Sequence, residues 1–176
     1  MEMKKIAVFA LGLLVTAAHA VVLPIPFFAT PAPLREGFDT TLVGNYNTLP
    51  VFGPLGTMTR IGTGGPLTVQ SFIGANTVPN IIFGNNADAR ITLIVPMRRF
   101  GGYFRSAVGG AFSPTATFKF YDAFNNPIGG MTLPMTSTFT WHGFITFPMW
   151  KRVEIYGAIP GYQGIVGIDS LRIRPF

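Results

Sequence analysis

Glycine, proline and asparagine cut this chain into short pieces, and that punctuation limits its folding more than any other feature. From Glu36 onward, strand-like runs rich in β-branched and aromatic residues alternate with Gly-, Pro- or Asn-containing breaks. The runs fall over 66–73, 78–83, 90–95, 100–106, 115–121, 137–147, 152–157 and 164–174, with weaker ones near 40–43 and 57–61. A spacing of about ten residues between such runs is the pattern of an all-β sandwich or barrel. No window after residue 20 carries the 3,4-spaced apolar stripe of an amphipathic helix.

Alternation within the runs points the same way. Phe118 and Phe120 share a parity opposite to Thr117 and Lys119, and Val153 and Ile155 one opposite to Arg152, Glu154 and Tyr156. Leu171 and Ile173 stand likewise against Arg172 and Arg174. Successive strand side chains face opposite sides of a sheet, so these are half-buried antiparallel strands with one face on a core. The breaks Gly84-Asn85-Asn86 and Asn125-Asn126-Pro127-Ile128-Gly129-Gly130 are turn chemistry. No repeat of 20–50 residues is present, which argues against a propeller or solenoid.

The first twenty residues read differently. Met1-Glu2-Met3-Lys4-Lys5 is a short basic start, Ile6 to Ala18 an apolar run, and Ala18-His19-Ala20 a small-x-small cleavage pattern. Residues 1–20 are therefore expected to be a helical signal peptide. No later stretch is long and apolar enough for a membrane helix, so the mature chain is expected without one. Its destination is secreted, periplasmic or cell-surface. Residues 21–35 hold Pro24, Pro26, Pro31 and Pro33 and read as an extended lead. Residues 36–176 are then the sandwich domain.

Composition excludes several chemistries. With no cysteine, disulfide frameworks, thiolate metal sites and cysteine nucleophiles are ruled out. Seventeen phenylalanines and 11% charge are the reverse of a disordered composition. Without Lys4, Lys5 and Glu2, the 156 residues after Ala20 carry 11 basic and 6 acidic side chains, a net +5, and one histidine, His142. His142 lies in a strand-like run with no Gly-x-Ser-x-Gly sequence in the chain, so a serine triad is not expected. Glu36, Asp39, Asp88, Asp122, Glu154 and Asp169 lack the setting of a paired acid and base for glycoside hydrolysis. Thr63-Gly64-Gly65 and Gly101-Gly102 lack the lysine and the helix of a phosphate-binding loop. Nucleic acid is not an expected partner of an exported chain with so modest a basic excess. Arg98-Arg99, Arg105, Lys151-Arg152 and Arg172/Arg174 meet either an anionic envelope polymer or simply water.

Three segments in order carry a resemblance. They are Phe120-Tyr121-Asp122-Ala123-Phe124-Asn125-Asn126-Pro127-Ile128-Gly129, then Phe139-Thr140-Trp141-His142-Gly143-Phe144, then Arg152-Val153-Glu154-Ile155-Tyr156-Gly157 with Gly167-Ile168-Asp169-Ser170-Leu171-Arg172-Ile173. The order resembles the exported bacterial jelly-roll domains of proteins that bear a PEP-CTERM sorting tag, which are akin to carbohydrate-binding-module β-sandwiches. It covers roughly residues 36–174, with loose motifs. The chain ends Arg174-Pro175-Phe176 without the tag, so anchoring by that route is not expected. The resemblance implies a jelly-roll-like antiparallel sandwich. It also implies a structural calcium near Asp39 and Asp169. Asp169 shares the parity of Leu171 and Ile173, so a regular strand would aim it at the core, where a carboxylate needs a partner. That partner is calcium, an arginine or backbone N–H groups.

Sugar recognition places aromatic rings against pyranose faces. Trp150, in an expected loop, and Tyr162 are the first candidates, followed by Tyr103 and Trp141. The expected function is a non-catalytic binding or surface-associated module for a glycan or envelope polymer. A self-associating matrix or coat protein comes second and a polysaccharide-active enzyme third.

Overall fold

In a computed structural model, the described residues are 20–28, 33–71, 80–84 (main chain only), 88–106, 114–157 and 166–176. The expected signal peptide lies outside them but for Ala20, as does Tyr162. Among the described residues there are twelve strands: β1 Val21–Ile25, β2 Leu34–Glu36, β3 Gly44–Tyr46, β4 Thr48–Val51, β5 Gly56–Ile61, β6 Leu67–Ser71, β7 Asn80–Gly84, β8 Asp88–Ser106, β9 Thr115–Tyr121, β10 Pro127–Pro134, β11 Thr140–Gly157 and β12 Val166–Arg174. The only helix among the described residues is a 3-10 turn, Gly53–Leu55. No described helix is long and apolar enough to cross a membrane.

All pairings are antiparallel, and two long strands organise them. The runs 90–95 and 100–106 were expected as separate strands, as were 137–147 and 152–157, yet β8 runs 19 residues and β11 runs 18. Their pairing slips between Ile145 and Trp150 and again between Trp150 and Arg152. Each strand is thereby divided between two layers, as happens where strands turn a sandwich corner through bulges. The first layer runs β10-β9-β11-β8-β5-β4, using the Asp88 end of β8 and the Gly157 end of β11. The second runs β1-β11-β8-β12, using the other halves, and continues through β2 and through β7-β6-β3.

Between the layers lies an aromatic core. Phe104 meets Phe118 at 4.9 Å between ring centroids, Phe144 meets Phe118 at 4.7 Å and Phe120 at 5.3 Å, and Phe100 meets Trp150 at 5.4 Å. Each of these rings is fully buried. Burying one such side chain contributes roughly 1.5–3 kcal/mol, which lets a chain without disulfides hold together.

Three local expectations are corrected. Residues 40–43 form turns and bends, because Phe38 takes a left-handed conformation (φ 62°) and reverses the chain there. The proline lead is extended but not separate, since β1 pairs with β11 and β2 with β12. Finally β10, unforeseen among Pro127, Gly129, Gly130 and Pro134, sits at the sheet edge, where missing N–H donors and irregular backbone are tolerated.

Candidate functional site

The outer face of the first layer carries a polar and aromatic ladder. Directly opposed residues share a face, so the register stacks three rows across it. Thr59, Arg90, Glu154, Lys119 and Gly130 form one, and Thr57, Thr92, Arg152, Tyr121 and Pro127 the next. Tyr156, Thr117 and Thr132 form the third. Glu154 is the hub. Its Oε2 accepts from the hydroxyls of Tyr121 at 2.8 Å and Tyr156 at 2.7 Å, and its Oε1 from Arg90 Nε at 2.9 Å. Burial pushes the Glu154 carboxyl up, but the bonds from Tyr156, Tyr121 and Arg90 outweigh it and hold the group below its ordinary value. Burial and the Glu154 carboxylate raise both phenols, which therefore stay protonated donors.

Cations cap both tyrosine rings. Arg152 Cζ sits 3.8 Å from the Tyr121 centroid and Lys119 Nζ 4.7 Å from that of Tyr156. Beside them runs a groove of about 360 Å³ lined by Thr117, Lys119, Tyr121, Gly130 and Thr132 among others. The face therefore offers flat rings, hydroxyls and fixed charges on rigid strands, a setting suited to precise placement. Sequence reasoning passed over Tyr121, Glu154 and Tyr156. The signal lay in the alternations 117–121 and 152–156, used only to find the core.

The sequence-derived candidates fall elsewhere. Trp150 is in β11, not a loop, and has no exposed surface; its ring packs on Phe100 and Phe120, out of reach of any surface ligand. Tyr103 and Trp141 do come together, on the outer face of the second layer, with centroids 5.5 Å apart. Phe27 packs at 5.0 Å from Trp141 and 6.4 Å from Tyr103, and Phe28 at 5.5 Å from Trp141. The lead thus covers part of the surface that these two rings would present.

Asp39 and Asp169 do not make the expected cation site. Ser170 adopts a left-handed conformation (φ 48°), and the β12–β8 register slips between Asp169 and Arg172. That bulge overturns the parity argument: Asp169 pairs with Tyr103 on the outer face, while Ile168 and Ile173 pair with core Phe104 and Phe100. Asp169 is nonetheless fully buried and accepts a hydrogen bond from the Ser170 hydroxyl at 3.2 Å. Asp39 is exposed and lines a cleft with Ser170, Arg35 and Arg172. Among the described residues, no three His, Cys, Asp or Glu side chains gather as a metal would require. Both Glu36 carboxylate oxygens accept backbone N–H groups, from Phe38 at 3.1 Å and Phe52 at 2.9 Å. Calcium needs six to eight oxygen ligands, and two guanidinium side chains among the cleft walls do not fit that donor set. His142 is half-buried in β11, and burial lowers its pKa.

No family model matches the chain. No curated protein matches it either. Among solved structures, a point mutant of a family 29 carbohydrate-binding module is similar at 11% identity and a TM-score of 0.40, over 67% of this chain and 91% of that one. Another mutant of that module, complexed with cellulohexaose, is similar at 10% identity and 0.38, over 69% and 93%. The enzymatically active domain of tailspike protein 4 of bacteriophage CBA120 is similar at 17% and 0.32, over 69% of this chain but 19% of that one. Likenesses this distant carry no functional argument, and function has to be read from the chain's own surface.

Proposed function

We propose that the chain is a non-catalytic glycan-binding module. The observation that carries this reading is the Tyr121–Glu154–Tyr156 ladder, two half-buried tyrosines held in fixed orientation by one carboxylate beside an open groove. A pyranose needs an apolar plane and in-plane hydrogen-bonding partners. The tyrosine rings supply the plane on the faces that Arg152 and Lys119 leave uncovered, with Arg90, Arg152 and Lys119 as donors. Export to a secreted, periplasmic or cell-surface destination, jelly-roll connectivity and kinship with PEP-CTERM-type domains belong to the same proposal. They rest on the sequence of residues 1–20 and on the three motif segments.

The test is a panel of soluble glycans in affinity electrophoresis, followed by calorimetry on any hit. Saturable binding is expected, with at least a tenfold loss in Tyr121→Ala and Tyr156→Ala and unchanged circular dichroism. Absence of binding across the panel, together with concentration-dependent assembly, would replace this reading with the self-associating matrix protein.

A further inference from the structure

The register places arginine opposite arginine twice on the outer face of the second layer. Arg35 of β2 is directly across from Arg172 of β12, and Arg99 of β8 is directly across from Arg174. Like charges directly opposed across a sheet are destabilising, and burial strengthens the repulsion. Arg172 is only 9% exposed, while Arg35 across from it is exposed. Its guanidinium lies against the Phe27 ring, 4.2 Å from the centroid, and its Nη1 donates a long 3.5 Å hydrogen bond to the Phe28 carbonyl. Its Nε is buried without a partner among the described residues, as is that of Arg99. Burial, and then the charge of Arg35, pull the Arg172 pKa down, and Tyr103 acts the other way.

Arg35 and Arg172 line the same cleft of about 230 Å³. Of the carboxylates on its walls, Glu36 is engaged by the Phe38 and Phe52 N–H groups, and Asp39 is exposed. A guanidinium presents its donors in a planar fork that matches an oxyanion, and that of Arg172 lies over the Phe27 ring. We propose that the cleft between β2 and β12 is an oxyanion seat, in which Arg35 and Arg172 together hold a carboxylate or sulfate group borne on an acidic glycan. The oxyanion would offset the repulsion between Arg35 and Arg172. This inference deepens the glycan reading and rests on it for the polymer, but not for the oxyanion.

Thermal unfolding of the full chain with glucuronate, sulfate or chloride at matched ionic strength tests the seat, alongside Arg35→Gln. Sulfate raises melting temperatures of most proteins by exclusion from their surfaces, so the decisive quantity is the difference between wild type and variant. At about a hundredfold excess over Kd, glucuronate is expected to raise the wild-type midpoint by about 5–10 °C. Arg35→Gln should melt no lower than wild type in chloride and lose that response. A wild type and variant that respond equally would overturn the seat. Affinity electrophoresis in alginate, dextran sulfate and neutral dextran then separates the two proposals. A glucuronate response lost in Arg35→Gln, without polymer binding, keeps the seat and removes the glycan reading. Binding to neutral and acidic polymers alike, unaffected by Arg35→Gln, keeps the glycan reading and removes the seat.

Discussion

The indole of Trp141 lies across the α-carbon of Gly101, so close that a β-carbon there would stand 2.5 Å from its Cζ2. Gly143 lies under the same ring, where a β-carbon would come within 2.9 Å of Nε1. Gly101 and Gly143 are paired across β8 and β11, so two bare backbones form a floor on which the indole rests flat. Phe27 and Phe28 from the lead pack against the same indole at interplanar angles of 72° and 77°. The lead can dock because its neighbours carry no side chains at those two positions.

Gly101→Ala should therefore lift the indole and loosen the lead, costing about 1–3 kcal/mol of stability by overpacking. Urea unfolding measures it. Gly44→Ala is the control, since a β-carbon there meets only Tyr46 ring atoms at an ordinary 3.7 Å. Equal stability of the two variants would mean that the floor is not needed.

Trp150→Ala should cost about 3–5 kcal/mol, because it empties a fully buried site between Phe100 and Phe120. At a temperature where that variant is still folded, ligand affinity should match wild type. A folded Trp150→Ala that had lost binding selectively would return this residue to the recognition surface.

These residues show which parts of the molecule the sequence could disclose. Strand β9 is legible to the residue, because Thr115–Tyr121 alternates cleanly between core and solvent. The continuity of β8 and β11 is not, since Pro96 and Pro148 look like strand ends in one dimension but sit where strands bend between layers. The bulge at Ser170 is invisible for the same reason: one residue in a left-handed conformation reverses every parity on one side of it. Aromatic candidates chosen by expected exposure went astray at Trp150. The ladder needed cross-strand register, which places Tyr121 and Tyr156 on either side of Glu154 although 35 positions separate the tyrosines in sequence.

Asp88 is set to behave opposite to most carboxylates. Burial raises its pKa above the ordinary 3.8, and the hydrogen bond it accepts from the Gly157 N–H only partly offsets this. A raised folded pKa contributes stability that is complete below the unfolded value and lost as pH climbs through the folded one. Asp88→Asn keeps an acceptor for Gly157 and carries no charge. It should gain up to about 1 kcal/mol at neutral pH, with the gain fading as pH falls through the raised folded value and gone below 3.8. A loss at neutral pH would show that the charged form is the one the fold prefers.

Glu154 gives the reverse sign. Its folded pKa is held below the ordinary 4.5 by Tyr156, Tyr121 and Arg90 despite burial, so its contribution is complete above 4.5 and lost as pH falls through the depressed value. The Arg90 pair adds a 2.9 Å contact between a carboxylate that is 5% exposed and a guanidinium that is 39% exposed, so Arg90 keeps much of its hydration if the carboxylate is removed. Glu154→Gln retains an acceptor for the phenols but loses the charge that strengthens all three bonds, and should cost roughly 1–3 kcal/mol at pH 7. Because a protonated glutamic acid resembles glutamine, wild type and variant should converge in stability as pH drops below 4.5. Denaturant midpoints from pH 7 to pH 3 follow this directly. A difference that persists unchanged into acid would mean that Glu154 acts through its shape rather than its charge. The tyrosines would then owe their orientation to packing alone.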